Sequence, residues 1–190
     1  KHEWEADDQH YEIEIAEVSV TSQPVGALFD YLLDDEGRFV QGRKAAFKKE
    51  VGIISVGFNT VELLVVRDRK PVQKFTAGTT AGVRRLLEII NADRLYTLGE
   101  LDGQLRSGTL DIKAALPIWE REVTGVINEH WGTSWKRFER ILLVGGGARL
   151  LEKTLPYKFN GKAFVPADPV LSIASGLRKL RVQVENRKRK

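Results

Sequence analysis

The 190-residue chain is 42% hydrophobic and carries a net charge of +4, which suits one substantial core, or one core with a small insertion. It has no cysteine, which excludes disulfides and thiolate–metal sites and fits a reducing compartment, so a cytoplasmic location is the expectation. No apolar run reaches membrane-spanning length, there is no signal-peptide apolar region, and the lack of any methionine leads us to expect missing residues upstream of Lys1.

Residues 1–10 are polar and predict a frayed segment. Tyr11–Val20 (YEIEIAEVSV) alternates and predicts a half-buried strand. A helix is expected next, with Thr21 or Ser22 as cap and Pro24 in its first turn, running through VGALFDYLL and ending at Asp34–Gly37. Arg38–Glu50 is a basic, polar connection with some helical character. Val51–Val56 and Glu62–Val66 read as strands, and Arg67–Lys70 as a hairpin turn into a further strand, Val72–Thr76. Ala77–Thr80 leads into a helix with Val83, Leu86, Leu87 and Ile90 on one face. Residues 92–139 change character and predict an inserted helical subdomain. Leu98–Leu105 is one helix there. Pro117–Trp131 is a stronger one, with Trp119, Val123, Val126, Ile127 and His130 on one face and Gly132 at its end. Strand Arg140–Val144 and helix Ala148–Leu155 follow. Asp168–Pro169 opens a last helix with Val170, Ile173, Ala174, Leu177 and Leu180 along one face and Gly176 allowing a close approach. The expected core therefore comprises residues 11–91 and 140–184, an α/β fold with a mixed sheet flanked by helices. From Arg178 onward seven basic residues face only Glu185, so the body is mildly acidic and residues 185–190 form a basic tail. Such a tail can touch nucleic acid or an acidic partner, although a solvated terminus is the plainer reading.

Two stretches carry the chemistry. In Gly52–Val66 (GIISVGFNTVELLVV) an apolar strand breaks at Gly57 and Thr60 before a second strand. In Ile141–Leu151 (ILLVGGGARLL) another strand stops at Gly145-Gly146-Gly147 before a helix-compatible segment. Only glycine lets backbone come so close to a phosphate or ribose, so two such strand ends suggest a nucleotide seat. Either one alone reads equally well as an ordinary tight turn. His2, His10 and His130 show no metal-ligand spacing, and Trp119, Trp131 and Trp135 suit helix packing better than base stacking.

In this order, these segments resemble the second lobe of the actin-like ATPases, whose core is ribonuclease-H-like. Within that family the chain is most similar to the plasmid-segregation actins of the ParM/StbA type. VSVTSQPVGALFDYL resembles the first connecting helix and SVGFNTVELLVV the second phosphate loop. LLVGGGARLL resembles the adenosine loop and DPVLSIASGLRKL the second connecting helix. The resemblance implies Mg²⁺ and ATP as cofactors. Gly57, Phe58, Asn59 and Thr60 would clamp phosphate through backbone N–H groups, with the Thr60 hydroxyl as an added donor. Gly145, Gly146 and Gly147 would lie against the adenosine, Gly78 and Gly82 near the ribose, and Gln23 would orient the attacking water. It also implies that the first lobe is absent from this chain, which alone would be inactive. Full-length relatives would assemble head to tail into filaments and meet an adaptor protein bound to centromere-like DNA.

Ser55 departs from the pattern. The loop usually carries Asp there to hold the hydrated metal, and a neutral hydroxyl is a weaker ligand for a hard cation. Glu62 stands where the family often has another acid, but its strand is expected to point it elsewhere. Weak or no hydrolysis follows as the expectation. Three alternatives remain open: a non-polymerising, hydrolysis-deficient scaffold, a small-molecule kinase of the same superfamily, and a nucleic-acid enzyme on the related ribonuclease-H-like core. The last needs a carboxylate cluster that Ser55 does not offer.

Overall fold

The computed structural model describes every residue except Ala16, Ser19, Arg69, Arg189 and Lys190. The chain opens with hairpin β1 (His2–Ala6) and β2 (Gln9–Ile13), followed by α1 (Gln23–Leu32). A second hairpin, β3 (Val51–Val56) and β4 (Val61–Arg67), continues through short β5 (Lys70–Pro71) and β6 (Ala77–Thr79) into α2 (Val83–Ile90). Helices α3 (Leu98–Ser107) and α4 (Leu116–Trp131) precede β7 (Arg140–Val144). Then come α5 (Ala148–Leu151), β8 (Ala163–Phe164) and α6 (Ser172–Lys188).

The main sheet runs β5-β4-β3-β7-β8, with β6 also on β4. β3 is antiparallel to β4 and parallel to β7, so the sheet is mixed. β3 is buried along its whole length, as expected of a central strand covered on both faces. Because successive side chains alternate between faces, the sheet divides the interior into two cores. Ile54, Leu63, Val65 and Leu143 pack against α2 and α4 through Leu86, Trp119, Ile127 and Trp131. Ile53, Leu64, Val66 and Leu142 pack on the other face against Ala27, Leu28 and Leu32 of α1. Two indole N–H groups are satisfied inside: Trp119 donates to the Ala81 carbonyl at 2.8 Å and Trp131 to that of Phe75 at 3.0 Å. Within the expected insertion α4 thus belongs to the main core, whereas α3 buries only Leu101.

Helices α1 and α6 cross at backbone contact. A Cβ on Gly176 would fall 1.8 Å from the Gly26 carbonyl oxygen. Asp30 fastens the crossing, accepting from the Ser172 hydroxyl at 2.7 Å and the Lys179 ammonium at 2.7 Å.

Several expected elements differ. The segment 1–10 expected to fray instead forms most of a hairpin, in which His2–Ala6 pairs in register with Gln9–Ile13 and Trp4 stacks on Tyr11 with ring centroids 5.3 Å apart. Tyr11–Val20 is not a half-buried strand: β2 stops at Ile13, both strands are exposed, and Val20 is 95% exposed. The alternation marks a side that needs cover, yet Ile13, Ile15, Val18 and Val20 remain at least half exposed. Val72–Thr76 forms a 3₁₀ turn over Gln73–Phe75 that buries Phe75 instead of a strand. The helix from Ala148 ends at Leu151, and a 3₁₀ turn over Leu155–Phe159 takes over, with Pro156 unable to continue an α-helical ladder. The last helix starts at Ser172, not at Asp168–Pro169, because the Asp168 carboxylate accepts from the Val170 and Leu171 amides and closes a separate turn. Its buried stripe is Ser172, Gly176 and Gln183 rather than the apolar face expected, and it stays helical through Lys188.

Candidate functional site

The β3–β4 turn is closed by the Gly57 amide, which donates to the Thr60 carbonyl at 2.8 Å. It is bolted to the start of α2: Gly82, Val83 and Arg84 amides donate to the carbonyls of Asn59, Gly57 and Phe58 at 3.2, 3.0 and 2.7 Å. The carbonyls of the turn are spent inward on these bonds. The N–H groups of Phe58, Asn59 and Thr60 donate to no acceptor among the described residues. Phe58 and Asn59 are exposed, so these N–H groups face solvent, and successive free donors in a tight turn are the kind of concavity that can take an anion.

Beside it, parallel β7 ends at the triple glycine. Gly145 adopts φ +92°, and a Cβ there would sit 2.4 Å from the Val56 carbonyl oxygen. Gly147 donates its amide to that oxygen at 2.9 Å, and its Cβ would strike the Val56 side chain at 2.3 Å. Both are required by the protein's own packing. Gly146 alone has nothing within 4 Å of a built Cβ. It opens onto a cavity of about 420 Å³ that it shares with Phe58, Val83, Arg106, Arg149 and Val170. The bends at 57–60 and 145–147 therefore meet at one cavity.

Two guanidinium groups at this cavity were not singled out from sequence. Arg106 is held by Asp102 at 2.8 Å and Arg149 by Asp168 at 3.2 Å. Desolvation pushes the Asp168 carboxyl up, but the Arg149 side chain and the Leu171 and Val170 amides together outweigh it, leaving it below its ordinary value. Arg149 follows the glycines by two positions and was findable; Arg106 lies on α3, forty residues away, with no local signal.

A second cavity, about 390 Å³, brings together Gln23 at the start of α1, Glu62 on β4 and Gly78 on β6. Gly78 lines this cavity, whereas Gly82 packs on the turn, where its Cβ would come within 2.6 Å of Asn59 and Thr60. Ser55 and Glu62 are direct cross-strand partners, so Glu62 is not pointed away: both side chains lie on the α1 face. Among the described residues no group of three or more His, Cys, Asp and Glu is placed to hold a metal. No helix among them is long and apolar enough to cross a membrane.

No protein-family model matches the sequence, and no curated protein does. Solved structures match in fold. The apo psk41 ParM protein superposes with a TM-score of 0.71 at 19% identity, over 89% of this chain and 50% of that one. Ta0583, an archaeal actin homolog in complex with ADP, gives 0.70 at 18% identity, over 93% and 61%. A 15-stranded ParM filament from Clostridium botulinum gives 0.66 at 16% identity, over 93% and 56%. The chain thus has the fold of an actin-like lobe near the ParM type, and it spans half to three-fifths of the length of these proteins.

Proposed function

We propose that this chain is the nucleotide-binding lobe of an actin-like ATPase that forms filaments for plasmid or DNA segregation, its first lobe lying outside the sequence described. The carrying observation is the cavity lined by both Gly146 and Phe58, the first residue of the turn whose amides at Phe58, Asn59 and Thr60 are unpaired among the described residues. The amides would hold the phosphates, and Gly146 would let the nucleoside lie flat on the chain. Arg106 and Arg149, each fixed by a carboxylate, offer planar cationic faces to a base. Gln23, exposed at the start of α1, would orient the attacking water. Mg²⁺, when bound, would neutralise phosphate charge. The ADP complex of one fold neighbour and the filament of another support this reading. An adaptor protein bound to centromere-like DNA would be the partner in segregation, with the basic C-terminal end of α6 as a contact.

The experiment combines binding and sedimentation on the intact protein. ATP should bind and drive the protein into the pellet, and Gly146→Val should weaken ATP affinity by on the order of tenfold or more while the circular dichroism stays unchanged. Unaltered affinity in the variant would remove the cavity from the function. A second reading, a scaffold that binds nucleotide without polymerising, is favoured by one observation: Ser55 is neutral where a metal-holding carboxylate is expected. ATP binding without any pelletable species would select it.

A further inference from the structure

We propose that the end of the main sheet opposite the Phe58–Gly146 cavity is a docking surface for the phosphate backbone of double-stranded nucleic acid, which this chain grips directly and without reading base sequence. This goes beyond the nucleotide-binding reading above and stands independently of it.

The first observation concerns charge. β3 begins, β4 ends and β7 begins at this end, where Val51 faces Val66 on one side and Arg140 on the other. The segments that meet there are 44–50, 67–74 and 136–140. Leaving Arg69 aside, they hold nine Lys and Arg against Glu50, Asp68 and Glu139. That excess is larger than the net +4 of the whole chain, so the rest of the molecule is net negative. Eight of the nine are exposed, and Arg140 is half-buried. A groove of about 610 Å³ between Phe39, Lys44, Phe47, Lys48 and Asp68 carries the cationic surface on to Arg187 of α6. A pole of one sign draws a polyanion from solution. It lies about 17 Å along β3 from the Gly57–Thr60 turn, so its occupant leaves the nucleotide cavity open.

The second observation concerns how the cations are held. Glu50 is 8% exposed and accepts from two guanidinium groups, Arg137 through Nη2 at 3.1 Å and Arg67 through Nη1 at 3.4 Å. One buried carboxylate thus fixes two arginines whose side chains stay at least half exposed. The pair keeps one positive charge in excess, with further N–H donors on each guanidinium. Arg137 and Lys74 also lie over the Phe75 ring, 5.3 and 4.6 Å from its centroid. Cations fixed in this way lose little freedom on meeting a phosphate.

The third observation selects the occupant. Among the described residues no exposed large apolar side chain falls in these segments. A protein interface centres on such anchors, and a peripheral membrane contact buries them. Phe39 and Phe47 pack on each other with centroids 5.7 Å apart and Phe75 is buried, so these rings serve packing rather than unpaired bases. The cations stand on strand ends and on the 3₁₀ turns Lys44–Lys48, Gln73–Phe75 and Ser134–Arg137, not on a helix presented to a major groove. Their contacts therefore fall on phosphates, which position a duplex and carry no base information.

The test uses the intact protein and the fluorescence anisotropy of two labelled DNA duplexes of equal length and unrelated sequence. Both should bind alike, with affinity falling steeply as salt rises. Lys48, Lys70 and Lys136 are exposed, and their side chains make no ion pair or hydrogen bond with described residues. Lys48→Glu, Lys70→Glu and Lys136→Glu combined should therefore fold. That triple variant should lose on the order of a hundredfold in duplex affinity, and its plot of log affinity against log salt should flatten by about one unit per lysine. Its ATP affinity should be unchanged. If circular dichroism shows it unfolded, the same three positions changed to Gln replace it, with about tenfold loss and the same flattening expected. Gly146→Val should leave duplex binding as it is, so failure of this assignment and failure of the nucleotide reading show separately. Phosphatidylserine vesicles and a polyglutamate peptide are the competing polyanions. Absence of duplex binding at low salt, undiminished affinity in the triple variant, a marked preference between the two duplexes, or preference for the vesicles or the peptide overturns the assignment.

Discussion

Glycine at 82 and glycine at 146 answer different demands. Gly82 has backbone atoms of Phe58, Asn59 and Thr60 within 2.6 Å of where a Cβ would stand. The turn and the start of α2 can only meet if that methyl is absent. Gly82→Ala should therefore push the turn off α2 and cost about 1–3 kcal/mol by overpacking, measured as a lowered midpoint in chemical denaturation. A change within experimental error would mean that the turn moves freely and that its three unpaired amides are not pre-set. Gly146 faces open space, so the protein's own packing does not call for glycine there; under the proposed function an approaching nucleotide would. Sequence marked all of these glycines alike. It could not separate those spent on internal packing from the one left open, because that depends on Val56, which touches both Gly145 and Gly147 across the β3–β7 pairing. Glu62 was misread for a related reason. Its facing follows from the register with Ser55, and register is set by where the turn closes, at Gly57 to Thr60, not by the strand's own composition.

At the scale of elements, apolar runs were legible and helix faces less so. Val51–Val56, Glu62–Val66 and Arg140–Val144 read as strands because central strands need apolar residues on both faces, and β4 extends one residue further at each end, over Val61–Arg67. Helix α6 was misjudged because its neighbour approaches too closely for large side chains. The contact with α1 selects Ser172, Gly176 and Lys179, while Leu177, Leu180 and Val184 line a cavity of about 810 Å³ together with Glu14, Ile15, Glu17 and Val20. Spacing of leucines identifies a face; it does not say which neighbour claims it. The same crossing yields a direct expectation. Gly176→Ala would place a methyl 1.8 Å from the Gly26 carbonyl oxygen, with backbone on both sides and no rotamer able to relieve it. The helices must separate, stretching the Asp30 bonds to Ser172 and Lys179. A loss of roughly 3 kcal/mol, at the upper end of overpacking costs, should appear in thermal unfolding, and it should shrink in a Lys179→Met background, where part of the bond network is already gone. Full additivity of the two changes would show that the crossing and the Asp30 network are independent.

Across the whole molecule, two sheets differ sharply in what covers them. The main sheet is sealed on both faces by α1 and by α2 with α4. The β1–β2 hairpin has no such layer: every one of its residues is exposed. It is held by its ladder, by the Trp4–Tyr11 stack and by Lys1, which pairs with Glu3 at 2.9 Å and Glu12 at 3.1 Å. Two-stranded hairpins of this kind are marginal in water, and solvent-exposed ion pairs add little. The apolar residues that follow, Ile13, Ile15, Val18 and Val20, are at least half exposed as well. Their alternation is the pattern of a strand with one covered side, so the sequence-based reading of a half-buried strand described a demand that this lobe leaves unmet. Local stability should differ accordingly. In hydrogen exchange of the 190-residue chain, the β1–β2 amides should exchange within seconds to minutes, while those of β3, β4 and β7 should wait for global unfolding. On the two-lobe reading proposed above, a first lobe seated on His2–Ile13 in the intact protein should slow the hairpin amides by orders of magnitude and leave the β3–β4–β7 set nearly unchanged. Equal protection of the hairpin in both forms would show that it needs no further layer, and would remove the main structural reason to expect one on that side of α6.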